Sequence, residues 1–251
     1  MNDMIHADIS PTDAVKQPFD GADDSLKRAA RQKPIRTIKA LGVLLTYPDW
    51  PAGEVADAVE ACLDAECLLP GSTREGVAAL LAWLRREDDL TLQEDYVALF
   101  DRNRTLSLHL YEHLLGESRD RGQAMVDLIG LYQRNGFMPT ERELPDFLPL
   151  VCEFLSEIPG EQAQAVLGDA VTVLTALQQR LEQRGSRYAA VFSGLIALSG
   201  GKPDAAVLAK LLAGSEDQDS LEALDRVWAE EPVRFDAGSA LKGGGCPAVA
   251  P

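Results

Sequence analysis

Several things are scarce in this 251-residue chain, and each scarcity removes a class of protein. It has four cysteines, Cys62, Cys67, Cys152 and Cys246, with no CxxC pair among them. That excludes a disulfide framework and a zinc ribbon, so they read as reduced thiols. Basic residues are outnumbered, 24 Lys and Arg against 40 Asp and Glu, for a net charge of −16. This balance argues against nucleic acid or an anionic membrane as a direct partner. The longest strongly apolar uncharged run, Tyr188 to Gly201, has 14 residues, short of the roughly 18 that would suggest a membrane span. The opening MNDMIHADIS has neither the basic start nor the apolar core of a secretion signal. A soluble cytoplasmic protein with no direct membrane insertion is therefore expected.

β-Branched residues are also few. Leu (36) and Ala (33) outnumber Val (16) and Ile (7) three to one, and unbranched side chains lose less rotamer freedom in a helix. No segment alternates like an exposed strand, and no internal repeat is visible. At 46% hydrophobic and 25% charged the composition is globular and excludes wholesale disorder. The expectation is an all-α, single-domain helical bundle.

Residues 1–33 lack apolar periodicity and read as a mobile N-terminal arm, with six basic residues and no acid between Lys27 and Lys39. Residues 34–231 form the expected helical domain. Residues 232–251, rich in Gly and small side chains, read as a flexible tail. Within the domain, Ile38, Leu41, Gly42 and Leu45 share a helix face that the prolines of Tyr47-Pro48-Asp49-Trp50-Pro51 terminate. Val55, Ala58, Val59, Cys62 and Leu63 form the next stripe. Ser72 with Glu75, and Thr91 with Glu94, fit capping boxes that place two helix starts. The clearest stripes are Phe147, Leu150, Val151, Phe154, Leu155, Ile158, and then Val166, Leu167, Ala170, Leu174, Leu177, Leu181. Between Asp204 and Asp236 nine acids face three bases, a solvated face or a docking site.

The densest polar information lies in residues 96–135. His109 and His113 stand at i and i+4, so on a helix both imidazoles would share a face and could chelate a metal. The protease form HExxH fails, because Leu110 stands where the glutamate belongs. A helical metal-dependent hydrolase using His109 and His113 is the alternative to hydrogen-bonded histidines at a helix interface. Arg102, Arg104, Arg119 and Arg121 bracket this segment near Glu112, Glu117 and Asp120. They suit carboxylate pairing between helices or contact with an anionic ligand such as a phosphate. A second cluster, TERELPDFLPL at 140–150, combines Thr140 and Glu143 with Pro145 and Asp146. Asp146 reads as the start or cap of the apolar helix that follows, or as an anionic ledge beside an apolar groove.

LFDRNRTLSLHLYEHLLGESRDRGQAMVDLIGLY followed by ELPDFLPLVCEFL, with LGVLLTYPD before it, resembles the respiratory nitrate reductase delta-subunit chaperones. These are the NarJ type within the TorD-like redox-enzyme maturation proteins. The likeness covers residues 36–160 well and 161–231 loosely. It implies a non-catalytic, all-helical cytoplasmic chaperone that binds the apo catalytic (alpha) subunit of a molybdenum nitrate reductase, through that subunit's N-terminal segment. It would support insertion of molybdenum cofactor into the client, possess no stably bound cofactor itself, restrain premature membrane docking, and work beside molybdenum cofactor biosynthesis proteins. Partner-binding residues are expected in the two stretches that carry the likeness: His109, Tyr111, Glu112, His113, Glu117, Arg119, Asp120, Arg121, Glu143, Pro145, Asp146 and Phe147. One departure stands out. The family commonly has histidine after Pro-Asp, where this chain has Phe147, so no role of that histidine transfers.

Overall fold

The computed structural model describes residues 33–116, 118–139 and 143–213, all of them in helices and connecting segments apart from one isolated β-bridge. The expected arm, tail and Cys246, the acidic stretch beyond 213, and the positions of Glu117 and Thr140 lie outside the described residues. Among the described residues ten α-helices follow one another: α1 Arg36–Val43, α2 Ala52–Glu66, α3 Gly71–Leu84, α4 Asp89–Tyr96, α5 Leu110–Leu115, α6 Arg119–Arg134, α7 Leu148–Leu155, α8 Gly160–Gln183, α9 Ala189–Ser199 and α10 Ala205–Ala213. Val97–Asp101 prolongs α4 as a π-helical turn, and Arg104–Leu106 forms a 3-10 turn.

The central element is α8, 24 residues long, or about 36 Å at 1.5 Å per residue. Its Leu167, Val171, Leu174, Leu177 and Leu181 recur at three- and four-residue spacing and are buried. α9 packs along it and is itself buried through Val191, Phe192, Leu195 and Leu198, as its continuous apolar sequence requires. α1 sits among α2, α7 and α9. Close approach is possible there because two glycines lack a Cβ. One added to Gly42 would lie 2.5 Å from Cys152 Cβ of α7, and one on Gly194 would lie 2.7 Å from Leu41 Cδ1.

The stripes of α1, α7 and α8 face the core as their spacing indicates, with Phe147, Leu150, Val166 and Ala170 only half-buried at their edges. Three expectations require correction. In α2 the inward residues are Ala52, Ala56, Val59 and Leu63, and Ala58 is exposed. α3 begins at Gly71 after Pro70 without a side-chain cap, so Ser72 lies inside the helix. α4 begins before Thr91, whose amide donates to the true cap, Asp88 Oδ1, at 3.1 Å.

Two acidic caps come from far away in the chain. Glu66, the last residue of α2, accepts from the amides of Arg36 and Thr37 at 3.0 and 2.8 Å, and from Thr37 Oγ1 at 2.7 Å. It thereby satisfies the first free donors of α1, where the helix dipole also favours negative charge. The second such cap builds the candidate site.

Candidate functional site

After the 3-10 turn the chain runs extended through Ser107 and His109, and there meets the segment that precedes α7. His109 and Phe147 form the isolated antiparallel bridge. Leu110 N–H donates to Asp146 O at 3.1 Å, and Leu148 N–H donates to Leu108 O at 2.9 Å. The Asp146 side chain is fully buried. Its Oδ2 accepts from Tyr111 N–H at 2.9 Å, and its Oδ1 faces His109 Nδ1 at 3.4 Å. The opening amides of α5, a helix of only six residues, are therefore satisfied by one residue from another part of the chain.

This geometry corrects two readings. Asp146 does not cap α7, whose N-cap is Phe147, and it offers no ledge to a ligand, since none of it reaches solvent. His109 and His113 do not share a helix face either, because His109 is the extended N-cap residue of α5. Its ring instead lies against Phe147, centroids 5.4 Å apart and 38° between planes. His113 Nε2 lies 2.7 Å from Ser107 O. A carbonyl can only accept, so Nε2 carries the proton there. Burial holds this imidazole below its usual pKa, and Arg180 adds to that, while the bond to Ser107 opposes it. Among the described residues no group of three His, Cys, Asp or Glu is arranged to hold a metal ion.

Glu112, at the third position of α5, accepts from Ser107 Oγ at 2.7 Å and lies 3.5 Å from Arg104 Nη2. Tyr111 is half-buried, and burial, with the nearby Asp146 carboxylate, pushes its phenol up. The remaining expected residues spread outward. Arg119 and Asp120 are exposed and Arg121 partly exposed at the start of α6; Glu143 is exposed, and Pro145 and Phe147 are half-buried. The structure thus brings together His109, Tyr111, Glu112, His113, Pro145, Asp146 and Phe147, and leaves Arg119, Asp120, Arg121 and Glu143 facing solvent.

Three supporting residues escaped the sequence reading. Tyr132, fully buried on α6, donates its hydroxyl to Pro145 O at 2.6 Å and fixes the Pro145–Asp146 segment. Ser107 binds Glu112 through its hydroxyl and His113 through its carbonyl. Arg180 of α8 donates to Thr105 O and anchors the 3-10 turn from beneath. Each was an unremarkable residue in a helical or loop pattern, and only the tertiary fold gives it a role.

Residues 68–193, half of the chain and including the whole α5–Asp146 junction, match the nitrate reductase delta subunit family model. The chain belongs to the nitrate reductase delta subunit family. It is 41% identical over 194 residues to the nitrate reductase molybdenum cofactor assembly chaperone NarJ of Escherichia coli K12, covering 77% of this chain and 82% of the relative. To the probable assembly chaperone NarW of the same organism it is 38% identical over 204 residues, 80% of this chain and 84% of the relative. The probable NarJ of Bacillus subtilis 168 is 32% identical over 163 residues, 64% of this chain and 86% of the relative. The delta-subunit resemblance read from the sequence, and the all-helical fold expected with it, are therefore both found. Among the described residues of this family member no helix is long and apolar enough to cross a membrane.

Proposed function

We propose that this chain is an assembly chaperone for the catalytic subunit of a respiratory nitrate reductase. It binds the apo subunit, keeps it open while molybdenum cofactor is inserted, restrains premature membrane docking, and then leaves. The observation that carries this reading is the 41% identity to an assembly chaperone over 82% of that relative's length. The chaperone makes and breaks no covalent bond in this scheme, and the cofactor is cargo that passes into the client.

The client's N-terminal segment is the part gripped. It folds into an amphipathic helix whose apolar face enters a groove between chaperone helices. Ordering that segment costs about 2–5 kcal/mol, so apolar burial must exceed this before affinity remains. Charge guides the encounter: the −16 chain accelerates capture of a basic segment, and salt weakens the effect as the Debye length shortens toward about 8 Å.

Native purification of the tagged full chain tests the proposal, from cells blocked in molybdenum cofactor synthesis and from replete cells. The apo catalytic subunit is expected to accompany it in the first case and to be released in the second. Titration calorimetry with the subunit's N-terminal peptide should give a negative heat-capacity change, with faster association at low salt. Failure to recover the subunit, or substrate turnover by the isolated chain, sinks the reading.

A further inference from the structure

One basic stretch of the sequence has no part in the site described above. Lys27, Arg28, Arg31 and Lys33 bring four bases and no acid into seven residues of a chain whose net charge is −16. The stretch precedes the region of family likeness, and all of it but Lys33 lies outside the described residues. Its point of entry into the fold is fixed. Lys33 O accepts from Gly160 N–H at the start of α8, at 3.2 Å, and α1 begins three residues later at Arg36. Leu26, the large apolar side chain beside the bases, stands seven residues before Lys33, a reach of at most about 23–25 Å for extended chain.

A surface of opposite charge lies within that reach. Leu45 N–H and Thr46 N–H still bond back to the carbonyls of Gly42 and Val43, so Tyr47 stands about one turn beyond α1, roughly 17 Å along the axis from Arg36. Tyr47 is one wall of a groove of about 470 Å³ along α4, lined also by Leu90, Val97 and Ala98. Leu90 is 63% exposed and Tyr47 44%. From Asp88 to Asp101 the sequence carries five acids and no base. All five are exposed, and Glu94 and Asp95 stand at the groove itself. Gln93 Nε2 donates to Pro48 O and Tyr96 O–H to Leu45 O, both at 3.0 Å, so the groove is fastened directly to the end of the helix into which the basic stretch leads.

We infer that residues 26–31 of this same chain are seated on the acidic groove, Leu26 against Tyr47 and Leu90, with Lys27, Arg28 and Arg31 facing Glu94 and Asp95, and that they screen it until a competitor displaces them. Charge complementarity chooses this occupant: four bases meet five acids, on a chain that is acidic nearly everywhere else. Tethering makes a weak seat sufficient. A short flexible linker gives an effective concentration in the millimolar range, so a contact with a Kd of about 1 mM is already about half occupied. One apolar side chain and a few exposed ion pairs, which are individually weak and screened by salt, suit that strength. Such a seat rejects segments that offer charge alone and yields to one that brings more apolar anchors. The seat is a property of this chain by itself; only the screening of a client rests on the proposed function.

The test uses the full chain and trypsin, which cleaves after Lys and Arg where the backbone is accessible. Cleavage after Lys27, Arg28 and Arg31 is expected to be at least tenfold slower than after Lys16, which lies upstream of the seated residues. Leu90→Gln, and separately Glu94→Gln with Asp95→Asn, should abolish most of that difference, whereas Val126→Gln, on an equally exposed apolar side chain of α6 (61%), should leave it as in wild type. Circular dichroism and thermal melts establish that each variant is folded. Equal cleavage at all four sites in wild type overturns the inference, as does protection that survives in folded Leu90→Gln. Protection that grows with chain concentration puts the segment in a second copy's groove and overturns it too. Leu26→Ser, which changes no charge, should expose the three sites and speed capture of apo catalytic subunit severalfold; exposure with capture at the wild-type rate overturns the screening. If wild type and Leu26→Ser both ignore the apo subunit, the chaperone reading falls, while the cleavage pattern still decides the seat.

Discussion

Asp146 Oδ2 accepts the amide hydrogen of Tyr111 at 2.9 Å across 35 residues of sequence. This single bond ties the entrance of α5 to the entrance of α7, because the neighbouring backbone pairs extend it on both sides. Asp146→Ala removes a cap and leaves a donor unsatisfied in a buried place. Lost capping is worth about 1 kcal/mol and an orphaned buried group about 1–3 kcal/mol. A loss of about 2 kcal/mol or more is expected in urea unfolding, with an unchanged denaturant slope. Asp146→Asn keeps an acceptor oxygen and should lose clearly less. An alanine variant as stable as wild type would show that the amide finds water instead.

What the sequence made legible was the information carried locally. The stripes of α1, α7 and α8 rest on large side chains three and four residues apart, and they face the core as that period requires. In α2 the phase slipped because alanines at 52, 56 and 58 carry little hydrophobic signal of their own, and only packing chooses among them. Capping failed more systematically. Local hydroxyl–carboxylate spacing pointed to Ser72 and Thr91, whereas the acids that cap α1 and α5 lie 29 and 35 residues away. The paired histidines misled for a related reason: i, i+4 spacing implies a shared face only if both residues are helical, and His109 is not.

Gly42 is where α1 meets α7 with no space for a side chain. A Cβ there would sit 2.5 Å from Cys152 Cβ, and Cys152 is wholly interior, its thiol pushed up to about 12 by burial. Gly42→Ala should destabilise by about 1–3 kcal/mol, the range for overpacking a well-filled core. The clash is with Cβ itself, so a double-mutant cycle should show Cys152→Gly relieving it and Cys152→Ala failing to do so. Equal behaviour of the two partners would place the strain elsewhere.

His113 makes stability depend on pH in a definite direction. Its folded pKa lies below the ordinary value of 6.5 because burial disfavours the imidazolium. As pH falls through about 6.5 the unfolded chain takes up a proton that the folded chain refuses, so the unfolded state gains. Stability from this residue is present above that pH and declines as pH drops toward the lower folded value. His113→Gln can still donate to Ser107 O but does not titrate. The urea midpoint of wild type should fall between pH 7.5 and 5.5 more steeply than that of the glutamine variant; parallel profiles would remove His113 as the cause.

Arg180 of α8 makes polar ties to two further elements, the 3-10 turn and α10. The residue is 7% exposed, and its guanidinium donates to Thr105 O in the 3-10 turn and, at 2.6 Å, to Leu211 O of α10. α10 contains no fully buried residue and rests on α8 through half-buried side chains such as Leu211, to which this contact adds a polar tie. Charge-assisted bonds of this kind are worth about 1.5–3 kcal/mol each. Arg180→Met keeps much of the side-chain volume and removes both donors. Hydrogen exchange should accelerate in residues 205–213 by at least tenfold, and to a smaller degree around 104–107, while α9 amides change only with global stability. Uniform acceleration throughout the chain would instead make Arg180 a general core residue and leave α10 held by other contacts.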